Sequence, residues 1–128
     1  MRFATRVVAA GMLAVGLGVG SAAAADVVVV KTVDDRFEPA QIMLEHGKPY
    51  RLRVENVGKD MHEFKAPAFF AAAKITGGAD AMTPDHTELV IQPGQTKEVE
   101  LIAPAPGSYA LTCPDHDWDD MVGTIVVR

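Results

Sequence analysis

The sequence predicts an all-β fold: a Greek-key antiparallel β-sandwich or barrel, with one short helix inside a 66–86 insertion. Two observations carry this. Seven or eight short strand-like runs fall within about 100 residues, separated by Gly, Pro and Asn turn signals at regular spacing. Only the 66–86 segment breaks the pattern. There Pro67-Ala-Phe-Phe-Ala-Ala-Ala-Lys74 is rich in helix formers and has Pro at its start.

Taken in order, Val27 to Val33 is a β-branched run and predicts the first strand. Phe37 to Leu44 is a weaker one. His46-Gly-Lys-Pro49 reads as a turn. Tyr50 to Glu55 alternates apolar and charged residues, the period-two pattern of a half-buried strand. Asn56-Val-Gly58 ends it. Met61 to Phe64 predicts a short strand with His62 and Phe64 on one face. After the helical stretch, Gly77 to Asp80 and Pro84 read as loop. Strands resume at Thr87 to Ile91 and at Thr96 to Ala103, with a turn at Pro93-Gly94 between them. Pro104 to Gly107 turns the chain again, and Tyr109 to Cys113 and Val122 to Val127 are the last two strands. No internal repeat or second domain is evident.

The first 25 residues read as an export signal rather than as part of this fold. Arg2 and Arg6 supply a positive start, Val7 to Gly20 is uncharged and apolar, and Ala23-x-Ala25 fits a cleavage site before Asp26. The apolar run is short and Gly-rich for a membrane span. The domain expected after cleavage is 26–128, with no membrane span and a net charge of −7. The expected location is the periplasm. An acidic surface argues against nucleic acid and favours a protein partner with a basic surface.

Cys113 is the only cysteine, so it can close no internal disulfide. In an oxidising compartment a lone thiol is an intermolecular bridge, a liability or a metal ligand. Its surroundings favour the last. His116 follows at +3 and Met121 at +8, a coincidence of about one in 700 for a chain of this composition. Thiolate, imidazole and thioether are three of the donors of a type 1 copper site, which takes a second His. The bland alternative is a buried cysteine before a solvated loop, with Met121 in the core. For the second imidazole, His46 sits in a turn and His86 ends a long loop. His62 lies on a short strand beside Phe64 and is the favoured candidate, although a lone His there is ordinarily a core residue satisfied by backbone.

These segments resemble the cupredoxins. The resemblance rests on Asn56-Val-Gly58, on Met61-His62-Glu-Phe64, on Gly107-Ser-Tyr109-Ala-Leu-Thr-Cys113-Pro-Asp-His116, and on Met121-Val-Gly123-Thr-Ile-Val-Val127. The Cys-x2-His-x4-Met loop is similar to that of plastocyanin and pseudoazurin. The resemblance implies a Greek-key barrel that holds one type 1 copper ion through His62, Cys113, His116 and Met121, with Met121 as the long axial ligand. It implies a small electron-transfer carrier and no enzyme, since this ligand set leaves no open position for substrate.

The chain departs from the family in two places. Glu63 stands where the family places an asparagine that helps hold the Cys-bearing loop. It is either a solvated strand residue facing away or an extra carboxylate near the metal. Asp115, Asp117, Asp119 and Asp120 surround His116 and Trp118, and four carboxylates would attract basic partners and favour the more positive metal state. Trp118 either packs over the His62 region or closes the loop core. Alternatives to the carrier are a copper-binding or delivery protein of the same fold, and a cupredoxin partner of a ferrous-iron uptake system. A cysteine hydrolase lacks an acidic orienter. A structural zinc site leaves Met121 without a role.

Overall fold

The computed structural model describes residues 16, 18 and 24–128, and for 117–119 the backbone alone. The export-signal reading of residues 1–25 falls almost wholly outside the described residues. Ten strands form two five-stranded sheets among them. The first sheet has β1 (Asp26–Val33), β2 (Arg36–Glu38), β4 (Pro49–Asn56), β6 (Lys74–Gly77) and β8 (Thr96–Ile102), in the order β2-β1-β4-β8-β6. The second has β3 (Gln41–Leu44), β5 (His62–Lys65), β7 (Glu88–Ile91), β9 (Gly107–Thr112) and β10 (Val122–Val127), in the order β3-β10-β9-β5-β7. This is the expected sandwich. Two pairings, β1 with β4 and β3 with β10, run parallel, and the rest are antiparallel.

The alternation read in β4 places Tyr50, Leu52 and Val54 inside and Arg51 and Arg53 outside. Outside, Arg51 and Arg53 face Glu100 and Glu98 of β8, at 3.1 and 2.6 Å. Such half-exposed pairs fix register more than they add stability. Inside, the two sheets close on Val30, Leu52, Val54, Phe64, Leu89, Val99, Leu101, Leu111 and Ile125. Phe64 is central. It is fully buried and meets Phe37 edge-on at 5.9 Å and Phe70 at 6.0 Å between ring centres. Each such pair adds about 0.5–1.5 kcal/mol beyond area burial. This anchors β5, and with it the strand position of His62.

The single weak run expected over Phe37 to Leu44 is two strands, β2 and β3, in different sheets. Pro39, which has no N–H to give a ladder, lies between them. The 66–86 segment holds a helix at Pro67–Ala72, which sinks Phe69 and Phe70 into the core. It then adds β6, which was not expected, between the helical stretch that ends at Lys74 and the loop that begins at Gly77. Ile75 and Thr76 are β-branched, and the edge of β8 pairs Lys74, Ile75 and Gly77, with an irregularity at Thr76.

At the far end of β10, the amide of His46 donates to Arg128 O and its ring Nδ1 lies 2.8 Å from Pro104 O. At the near end, Gly123 runs so close to β3 that an added Cβ would lie 2.6 Å from Ala40 O. The loop between β9 and β10 therefore sits at the end of the sandwich opposite His46.

Candidate metal centre

Three strands and one loop build the site. Cys113 follows β9 directly, and its N–H donates to Met121 O at 3.1 Å. Thr112 pairs with Val122, so this bond continues the β9–β10 ladder by one step. Cys113 and Met121 are thus cross-strand neighbours, a relation that places both side chains on one face. Both are fully buried. Between them the chain makes a 3₁₀ turn over Pro114–Asp119, closed by His116 N to Cys113 O at 2.9 Å and Met121 N to His116 O at 3.3 Å.

His62 opens β5, beside Cys113. It is 1% exposed, and its Nδ1 lies 4.0 Å from Cys113 Sγ. The loop leading to it is stapled from below by Asn56. The Asn56 amide donates to Asp60 O at 2.7 Å and to Ile91 O at 2.9 Å, and its Oδ1 accepts the Gly58 N–H at 2.9 Å. The chain packs tightly here, since a Cβ on Gly58 would lie 3.3 Å from both His62 Nε2 and Asp34 N.

His116 stands over this pair. Its ring centre is 4.7 Å from that of His62, and its side chain is 14% exposed. One ligand atom from each of His62, Cys113 and His116 lies within 4.8 Å of the others. Among the described residues this is the only such group of His, Cys, Asp and Glu side chains. His46 and His86 are exposed and outside it.

The donor set fits a metal ion. A thiolate and an imidazole bound at about 2.3 and 2.0 Å, and 120–130° apart, lie about 3.7–3.9 Å from one another. The observed 4.0 Å needs almost no adjustment. The buried imidazole nitrogen His116 Nδ1 makes no hydrogen bond within the protein, so the protein alone leaves polar capacity unused there. Burial, and then the nearby His116, holds His62 below the usual histidine range, which keeps it neutral and ready to ligate. Burial pushes the Cys113 thiol up. The Glu63 N–H, 3.3 Å from Sγ, works the other way by favouring the thiolate. A bound cation would complete the deprotonation.

The sequence model of the family described as "Cupredoxin-like domain" matches residues 6–127. The chain belongs to that family. Among solved structures, auracyanin B is similar with a TM-score of 0.61 and 25% identity, covering 81% of this chain and 89% of that one. The dithionite-reduced auracyanin of Roseiflexus castenholzii gives 0.59 at 17% identity, covering 83% and 99%. A mutant amicyanin in its Cu(I) form gives 0.53 at 16% identity, covering 80% and 82%. A search of curated proteins returns no match.

Within this cupredoxin-like domain the Glu63 question resolves. Its side chain leaves β5 on the face opposite the buried His62 and Phe64, yet it is not simply solvated. Glu63 Oε2 accepts the Asp115 N–H at 3.3 Å, while its own N–H points at Cys113 Sγ. Glu63 thus straps the loop to β5. Burial, then Glu88 and Asp115, pushes its carboxyl above the usual range. Glu63→Gln keeps an oxygen acceptor and is expected to hold the loop, whereas Glu63→Ala is expected to cost about 1 kcal/mol, the worth of one hydrogen bond. Urea denaturation of the metal-free protein checks this.

The side chains of Asp117, Trp118 and Asp119 lie outside the described residues, so both readings of Trp118 do too. Sequence reasoning missed three contributors. Asn56 was read as a strand breaker and as part of the family resemblance, with no role in holding the His62 loop. Asp35 and Asp60 were not singled out, yet both carboxylates, with Asp34, act on His62 by charge. Only topology brings the β1–β2 turn to this end.

Proposed function

We propose that this chain is an exported, single-domain type 1 copper protein that carries electrons, with His62, Cys113, His116 and Met121 as ligands. The observation that carries the reading is the convergence of His62, Cys113 and His116 donors at one end of a rigid sandwich. The Cu(I) form of amicyanin shares this fold. Met121 supports the assignment by its place across the ladder from Cys113 and its full burial. Copper in such a set supplies one-electron exchange between Cu(I) and Cu(II).

The protein's own part is to hold still. Asn56, the Cys113–Met121 backbone bond and the Glu63 strap fix the donors before and after electron transfer. His62 is sealed, while His116 reaches solvent, so the electron path runs through His116 to a docked partner. Asp34, Asp35, Asp60, Asp115 and Asp120 are exposed around this end and favour a partner with a basic surface. We read residues 1–25 as the signal that exports the chain to the periplasm. No helix among the described residues is long and apolar enough to cross a membrane.

The test is addition of Cu(II) to the metal-free protein. An intense visible thiolate-to-copper band, with Cu(I) surrendered only slowly to a chelator, is the expected result. A colourless protein that takes zinc alone ends the proposal. A Cu(I) ion lost within seconds replaces the carrier with a copper-delivery protein.

A further inference from the structure

We infer that the bare edge of β1 is an interaction surface for a second copy of this chain, joined by antiparallel pairing of Asp26–Val30 with the same segment of the copy. This goes beyond electron carriage and does not involve the metal. β2 covers only Lys31–Val33 of β1, so on that side Asp26–Val30 has no neighbouring strand among the described residues. The stretch reads Asp-Val-Val-Val-Val, with no charge between Asp26 and Lys31. Val27 and Val29 are 47% and 37% exposed. Natural edges are blunted by charge, proline or brevity. The edge strands β2, β6 and β7 follow that rule, being short and carrying Arg36, Glu38, Lys74 and Glu88. The Asp26–Val30 edge does not. An open groove of about 410 Å³, with Val27, Val28, Met43 and Leu44 in its lining, leaves it reachable.

The backbone fixes the register. The Val57 N–H donates to Thr32 O at 3.1 Å, so Thr32 turns its peptide groups toward β4. Successive strand residues alternate sides, which sends Val30, Val28 and Asp26 toward β4 and Val29 and Val27 toward the bare edge. An antiparallel neighbour exchanges both N–H···O bonds with such residues. One register uses them all. Val27 lies opposite Val29 of the copy, and Val29 opposite its Val27, about a twofold axis at Val28. Every free N–H and C=O of Val27 and Val29 is then paired, and the exposed valines cover one another. The contact is isologous, the form that closes as a dimer. Asp26 falls opposite Val30 of the copy, and the next position, Lys31, is already held by β2. Asp26 is also the residue that the export reading makes first in the mature chain.

Charge permits the contact. The exposed carboxylates of Asp34, Asp35, Asp60, Asp115 and Asp120 gather at the metal end, and Asp26 is paired with Lys48 at 2.8 Å. Antiparallel pairing points the two metal ends in opposite directions, so the acidic rims do not meet. Val28 and Asp34 are separated by about 20 Å of strand, which sets the two metal ends about 40 Å apart. Each His116 stays open to its own redox partner. The contact is small beside the roughly 20–30 residues a side of a standard interface, so the dimer is weak and reversible.

The experiment is sedimentation equilibrium on the exported protein, in about 0.15 M salt to screen its net charge. It is repeated on Val27→Lys and Val29→Glu, alone and mixed, with thermal melts to check that each variant folds. The unsubstituted protein is expected to move from monomer toward dimer as its concentration rises to about 1 mM. Each variant alone sets a lone charge against a valine of its copy, and its association is expected to weaken about tenfold or more. In the one-to-one mixture the introduced ammonium faces the introduced carboxylate, and association is expected to return to within about threefold of the unsubstituted value. An unsubstituted protein that stays monomeric at about 1 mM overturns the inference. So does a folded variant that associates as tightly as the unsubstituted protein. A mixture no tighter than either variant alone overturns the register, and with it the assignment of this edge.

Discussion

Cys113→Ser abolishes the visible band of the copper-loaded protein. A serine hydroxyl does not ionise in this buried setting, so no thiolate remains to transfer charge to the metal. The loss is complete rather than graded, because Cys113 is the only cysteine and no second sulfur anion can stand in. His62→Ala removes the band as well, since it takes away the imidazole whose Nδ1 lies 4.0 Å from the sulfur. His46→Ala and His86→Ala leave it untouched. His46 is tied to Pro104 at the other end of the sandwich, and His86 is exposed outside the donor group. Met121→Leu keeps the band and raises the potential, because an axial thioether is weak and its loss favours Cu(I). Absorption spectra of five purified variants decide the set. A band that survives His62→Ala and disappears with His86→Ala overturns the assignment.

Asn56→Ala is expected to be the most damaging change outside the ligands. The side chain is buried and uses both amide protons and its oxygen. Truncation strands Gly58 N–H and the carbonyls of Asp60 and Ile91 together. At about 1 kcal/mol for each bond, the cost is about 3 kcal/mol. For a domain of this size that lowers the melting temperature by on the order of 10–20 °C. Asn56→Asp is no milder. It keeps the acceptor for Gly58 but turns an oxygen toward two carbonyl oxygens. Thermal melts of the metal-free protein measure both. A shift of only one or two degrees would mean that the 57–61 loop holds itself.

The contrast between what the sequence disclosed and what it hid has a physical basis. Strands with one buried face announce themselves by alternation, and β4 and β5 stand where Tyr50-to-Glu55 and Met61-to-Phe64 placed them. The Cys113, His116 and Met121 spacing is local, so it was visible. β6 was hidden because its few residues become a strand only when β8 offers an edge. Glu63 was ambiguous because its role depends on a backbone N–H fifty-two positions away. Asn56 looked like punctuation, since a turn and a buried staple favour the same residue type. Asp35 carried no signal at all, for nothing in a turn between β1 and β2 tells which end of the sandwich it will reach.

The backbone bond from Cys113 to Met121 makes residues 114–120 a detachable cassette. Thiolate and thioether are held by the β-ladder, and the third strand-borne donor, His62, belongs to a separate stretch of chain. Of the four proposed ligands, only His116 depends on how the cassette is wound. Its length and composition are therefore free to vary without moving the other three. An engineer could trade loops to reset partner choice and leave the domain's folding energetics almost where they were.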